Sequence, residues 1–315
     1  MLSRTADHVY WMARYTERAE NTARMLDVNW QMSLLPRPAE QAERSWRAML
    51  DISELTEGYL QRHERVTADG VLDFMVRDPA NASSIASCLQ RARENARAVR
   101  GSLTTEVWET QNATWLELRR MLTERLHARD PSQFFEWVKF RSHLARGVVL
   151  GTMLRDQALR FARIGTFLER ADNTARLLAV KYYEDDGAPG QDEAHREFYR
   201  WTSILRSVSA FEIYRRVYRD VVTPERVAEL LILRADMPRS LAASLNALQA
   251  NLEPVVVDRA GETMRLAGRL RSELHYALID DILARGLQAY LDEFLERINA
   301  IGDRISRDFL LPLAA

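Results

Sequence analysis

One eight-residue motif is written twice in this chain, and it constrains the fold more than any other feature. Residues 17–24 read Glu17-Arg18-Ala19-Glu20-Asn21-Thr22-Ala23-Arg24, and residues 169–176 read Glu169-Arg170-Ala171-Asp172-Asn173-Thr174-Ala175-Arg176. Seven of the eight positions are identical and the eighth keeps its charge. The next segment repeats too: Trp46 and Tyr59 are 13 residues apart, as are Trp201 and Tyr214. Asp78-Pro79 with Leu89-Gln90 has a looser echo in Asp236, Pro238 and Leu248-Gln249. The offset drifts from 152 to 155 to 159, as loop insertions between matched elements would make it. Two homologous halves, 1–150 and 151–315, are expected to form one compact protein.

The halves are expected to be helical. Apolar residues recur with a helical period nearly everywhere, and only 12 Gly and 9 Pro serve 315 residues, too few for the turns of a many-stranded β protein. Helices are expected over 3–35, 39–63, 68–77, 83–101, 105–127, 132–147, from there to 183, 192–218 and 224–251, with one or two more over 258–311. The segment 185–190 reads as the clearest loop. The fold class is therefore all-α, a bundle of about ten to twelve helices with an internal two-fold pseudo-repeat.

On a helix at ~100° per residue, Met12, Tyr15, Ala19, Thr22 and Leu26 share one face. Ile164, Phe167, Ala171, Thr174 and Leu178 do the same in the second copy. Glu17, Asn21 and Arg24 lie roughly opposite, as do Glu169, Asn173 and Arg176. The duplication kept this polar stripe as faithfully as the apolar one, and three readings stay open. In the first, the charges form a buried ion-pair lattice, Glu17 pairing with an Arg of the other copy and Glu169 with Arg18 or Arg24, which sets register more than it adds stability. In the second, they line a pocket in which Arg forks hold a carboxylate or phosphate and Glu and Asn hold an amine. The third is a solvated face. The first two place the two motif helices beside each other across a pseudo-two-fold axis.

Several chemistries lack their residues. The lone Cys88 excludes an internal disulfide and Cys-based metal sites and suits a reducing compartment. Gly147-Val148-Val149-Leu150-Gly151 lacks the lysine and hydroxyl of a phosphate loop, and no Gly-x-Ser-x-Gly elbow occurs. Glu124 with His127 is the single good Glu-x-x-His match, one short of a di-metal bundle. Neither a metal nor a cofactor is expected. A net charge of -1 gives no nucleic-acid or acidic-membrane signal, and no apolar run reaches the ~18 residues of a membrane span. Residues 1–15 hold no uninterrupted apolar stretch of the signal-peptide kind, so a cytoplasmic location is expected. Only Lys139 and Lys181 among 44 basic residues are lysines, and arginine forks suit carboxylate or phosphate.

Three segments together carry a family resemblance: Met1-Leu2-Ser3-Arg4 through Arg24, then Ala92-Arg93-Glu94-Asn95-Ala96-Arg97, then Phe167-Leu168-Glu169-Arg170 through Leu178. They resemble the bacterial alpha-E family, an all-helical family named for its Glu-Arg motif, over essentially the whole chain. That motif falls on Glu17, Arg18, Glu169 and Arg170, and Glu106-Val107-Trp108-Glu109 with Asn112 also fits the family pattern. The resemblance implies context. Genes of this family commonly lie beside, or are fused to, a circularly permuted ATP-grasp protein, often near a transglutaminase-like protein, and ATP-grasp enzymes join a carboxylate to an amine through an acyl phosphate. The implied role is an accessory or substrate-binding partner of an ATP-grasp amide or peptide ligase. An enzyme of the same pathway and a non-catalytic helical scaffold are the alternatives, and no catalytic residue is assigned. The candidate binding residues are Glu17, Arg18, Asn21 and Arg24, with Glu169, Arg170, Asn173 and Arg176. Arg93, Glu94, Asn95 and Arg97 join them as a second motif confined to one half. An acidic small molecule or peptide is the matching ligand.

Overall fold

The first helix explains the rest of the first half. In a computed structural model describing residues 1–36, 38–179, 193–256 and 261–310 (backbone alone for 193–196), α1 runs Ser3–Ser33 without a break. From Thr16 to Asp27 nearly every side chain is buried, polar ones included, so this helix is enclosed on all sides. It packs against α5 (Ile85–Ala98) and α8 (Pro131–Thr152). Between them lie α2 (Ala39–Ile52), α3 (Thr56–Leu60), α4 (Ala68–Val76), α6 (Thr105–Thr123) and α7 (Leu126–Arg129). After α9 (Gln157–Ala179) come α10 (Glu193–Ser207), α11 (Phe211–Tyr218), α12 (Pro224–Ile232), α13 (Leu241–Leu252), α14 (Glu262–Tyr276), α15 (Ile279–Arg285) and α16 (Leu287–Phe309). The described residues contain no strand, so the chain is all-helical.

Two compact units are present, one of Met1–Thr166 with Phe309 and Leu310, the other of Phe167–Asp308, the division falling inside α9. In unit 1, Val9, Met12, Ala96, Val107, Leu159 and Ala162 form a core that joins α1 to α5, α6 and the start of α9. There the two helices come so close that a Cβ on Gly165 would stand 2.4 Å from the Tyr10 carbonyl oxygen. Buried Tyr59 donates its hydroxyl to the Arg65 carbonyl (3.3 Å) just before α4, which Thr67 caps through Gly70 N–H. In unit 2, buried Tyr214 donates to the Val221 carbonyl (2.8 Å) just before α12, which Thr223 caps through Arg226 N–H. Ser84 caps α5 and Ser240 caps α13 in the same manner.

The expected count of helices was too low. Sixteen α-helices stand among the described residues, because long spans break at short bends. The expected helix 39–63 is divided at Glu54 (φ 55°), and the one over 192–218 at Ser209 (φ 54°). The segment 258–311 yields three helices, parted at Ala277-Leu278 and at Gly286 (φ 96°). The break expected at Gly147 lies instead at residues 153–156, since α8 runs through both of its glycines. The loop expected at 185–190, Lys181 and Val257 lie outside the described residues.

Candidate functional site

The first motif faces α8. Glu17, Glu20, Arg24 and Asp27 follow one another at helical spacing on one side of α1, and Lys139, His143 and Arg146 do so on α8. Arg146 donates Nη1–H to Glu17 Oε2 at 2.8 Å and also binds Glu20. Arg24 donates Nε–H to Glu20 Oε1 at 2.8 Å, and Lys139 donates to Asp27 Oδ2 at 2.7 Å. Glu17 and Glu20 are 1% and 0% exposed, so their charges stand only because the cations come with them. Burial acts to lower the Arg146 pKa, but the two carboxylates and the hydrogen bonds they accept outweigh it and raise the pKa. The His143 ring sits between the guanidinium groups, with Nε2 3.1 Å from Arg24 and Nδ1 2.8 Å from Arg146. Guanidinium only donates and a neutral imidazole has one acceptor nitrogen, so one of these contacts at a time is a hydrogen bond.

Thus Glu17 pairs with α8 of its own unit, a partner that sequence reading missed together with Lys139, His143, Glu20 and Asp27. The signal was two opposite-charge stripes of matching helical spacing, separated by more than a hundred residues. Such a lattice fixes the register of α1 against α8. Asn21 is buried beside it at 3% exposure, while Arg18 turns to the α5 side, reaching Ser83 Oγ at 3.4 Å and the Tyr15 ring, over which Arg91 also lies.

The second motif is elsewhere in unit 1, half-buried at Arg93, Glu94 and Asn95 and exposed at Arg97. Asn95 Oδ1 accepts from His8 Nδ1 at 2.8 Å, which places the proton of that imidazole on Nδ1 and ties α5 to α1. Arg93 donates to Asn112 Oδ1 at 2.9 Å and lies over the Trp108 ring, as does Arg100. Glu94 bridges Arg93 and Arg97, and the Arg97 side chain is 65% exposed. In unit 2, Glu169 and Arg170 are buried. Arg170 donates to the Pro238 carbonyl at 3.4 Å, Thr174 to the Arg239 carbonyl at 3.0 Å, and Arg176 to Asp172 at 2.9 Å. Asn173 lies half-buried on the same helix. A small depression in unit 2, open to solvent and lined by Asn246, Arg271 and His275 among others, includes none of the motif residues. Among the described residues, no three His, Cys, Asp or Glu side chains gather as a metal set, and no helix is long and apolar enough to cross a membrane.

An all-helical chain with a Glu-Arg pair on a long helix of each unit belongs to one class of helical protein. The chain belongs to the Alpha-E family, described as a predicted alpha-helical domain with a conserved ER motif, whose model matches residues 1–310. It is similar to an uncharacterized protein of Mycobacterium bovis and to two of Mycobacterium tuberculosis. Each is 25% identical over 329 aligned residues, covering 94% of this chain and 35% of the relative. The chain therefore spans about a third of the length of the curated relatives it matches. No solved structure matches it.

Proposed function

We propose that this chain is a helical accessory protein that binds an ATP-grasp-type amide or peptide ligase, or that ligase's acidic substrate, in the cytoplasm of a bacterium. The observation that carries this reading is the division of labour between its motifs. The carboxylates of the first motif are held inside unit 1 by Arg146, whereas the second motif lies nearer the surface, with Arg93 over the Trp108 ring and Arg97, paired to Glu94, exposed. Guanidinium forks so presented match carboxylates, on a small molecule or an acidic protein surface. The length of the relatives supports the same reading, because a domain carried within a chain about three times as long works alongside other domains there. A transglutaminase-like protein is a further candidate partner. We read the two units as copies of one ancestral unit, on the support of the paired tyrosine bonds, the paired Thr and Ser caps and the left-handed bends at Glu54 and Ser209.

The test is co-purification of the full chain with the neighbouring ATP-grasp protein at low and high salt, with product analysis by mass spectrometry as each protein is omitted in turn. Binding that weakens as salt rises, and is lost in Arg93→Ala/Arg97→Ala, is expected, because exposed charges are screened over ~8–10 Å. ATP turnover by the isolated chain would overturn the accessory reading. The second reading, a pathway enzyme, is favoured by one observation, the imidazole of His143 held between two guanidinium groups. It predicts that His143→Gln abolishes product formation while ligase binding persists.

A further inference from the structure

The outer face of α8 holds large apolar side chains and glycines where a lone helix has no use for either. Phe140 is 64% exposed, Leu144 46% and Leu150 54%. Gly147 and Gly151 lie inside the helix on the same side, and a Cβ built on either would meet nothing within 4 Å. Glycine within a helix is less stable than alanine, so neither helix formation nor packing within this chain accounts for the two glycines. Glycine on a helix face does allow another helix to come close.

Phe140, Leu144, Gly147 and Gly151 are spaced four, three and four, the seam of a two-helix coiled coil. Laid antiparallel on a second copy of itself about the midpoint between Ala145 and Arg146, this seam pairs Phe140 with Gly151 of the other copy and Leu144 with Gly147. The second half of the seam repeats both pairs in reverse, so every large side chain meets a glycine. Parallel pairing would instead set Phe140 on Phe140 and leave glycine on glycine. The ends add charge complementarity. Exposed Glu136 precedes the seam and exposed Arg155 follows it, and antiparallel pairing brings each to the end carrying the other. Asp130 and Asp156, the other acids near these ends, are occupied as caps of α8 and α9. We infer that the outer face of α8 is a self-complementary docking surface for a second copy of this chain, joined antiparallel as a two-fold dimer.

The seam is apolar, so the dimer should persist at high salt, unlike the arginine-based contact proposed above. Sedimentation equilibrium of the full chain across the micromolar range, at low and high salt, tests it. A species of twice the 36.4 kDa chain mass is expected in both. Leu144→Glu and Gly147→Met should each weaken self-association at least about tenfold. Gly147→Met is the decisive variant, since open space surrounds that position within one chain and its melting as a monomer should be unchanged or raised. In a mixture of Leu144→Cys and Gly147→Cys chains, a disulfide joining one of each is expected, and its absence under oxidation would overturn the antiparallel register. A monomer throughout, or a dimer indifferent to both seam variants, would overturn the surface itself. Capture of the ligase on this face by a monomeric chain would do so as well.

Discussion

The two units set helices of different composition beside their motif helices. In unit 1 the acidic stripe of α1 meets a cationic helix, α8, through Arg146, Lys139 and the ring of His143. In unit 2 the last long helix, α16, buries Leu291, Phe294, Ile298, Ile301 and Ile305, and Gly302 admits Leu168 of the motif helix at close range. In unit 1 the stripe sets register through charge, while in unit 2 α16 approaches the motif helix with a glycine against Leu168.

The sharpest way to break this contrast is to remove Arg146. Arg146→Met leaves Glu17 and Glu20 buried without their shared cation, and a loss of about 3–5 kcal/mol is expected in urea unfolding. Adding Glu17→Gln and Glu20→Gln to that variant should restore part of it. A loss below about 1 kcal/mol would mean that the stripe behaves as a surface pair.

Glycine positions sharpen the contrast sterically. Gly165→Ala places its methyl 2.4 Å from backbone that cannot yield, and about 1–3 kcal/mol of destabilisation is expected. Gly302→Ala meets only the tip of Leu168, at 3.1 Å. The gain in helix propensity, up to about 1 kcal/mol, should offset that contact and leave the melting temperature close to unchanged. Equal losses at both sites would erase the distinction between a fixed backbone crossing and a yielding side-chain contact.

Among the described residues, unit 1 alone holds a buried imidazole, His127, 2% exposed and packed against Phe134 at the foot of its bundle. Burial foremost, and then the Arg77 charge, lower its pKa below 6.5. The unfolded chain therefore binds the proton more readily. Stability from this group is complete above pH 6.5 and declines as pH falls towards the folded value. Denaturation midpoints between pH 7 and pH 5 should show a slope that His127→Leu reduces. The smallest effect is expected at Arg97→Ala, where an exposed pair with Glu94 contributes under about 0.5 kcal/mol, so its melting should be unaltered even as ligase binding falls.

Much of this fold was legible where local chemistry decides it. Pro36 and Pro38 end α1, Thr104 and Thr223 cap α6 and α12, and Asp130 with Pro131 opens α8. What escaped notice was bends without a glycine signature. Glu54, Arg125, Ser209 and Arg219 all adopt left-handed backbone, imposed by the packing on either side rather than by their own preference. Gly147 looked like a terminator yet lies within a helix, because one exposed glycine costs only about 1 kcal/mol against a buried face that holds α8 in place. At the site, the burial of Glu17 and Arg24 was among the open readings, but Arg146 was invisible. Its role depends on a crossing between helices 129 residues apart, which no local pattern records.

That separation also has a consequence in time. The acidic stripe of α1 leaves the ribosome long before Arg146 exists. At synthesis rates of ~5–20 residues per second, Glu17 waits roughly 6–26 s for the residue that neutralises it. Over that interval burying the stripe would leave Glu17 without the cation it meets in the folded unit, a cost that disfavours early collapse of α1 onto its apolar neighbours. The charge network around the first helix can be completed only once most of unit 1 has been made.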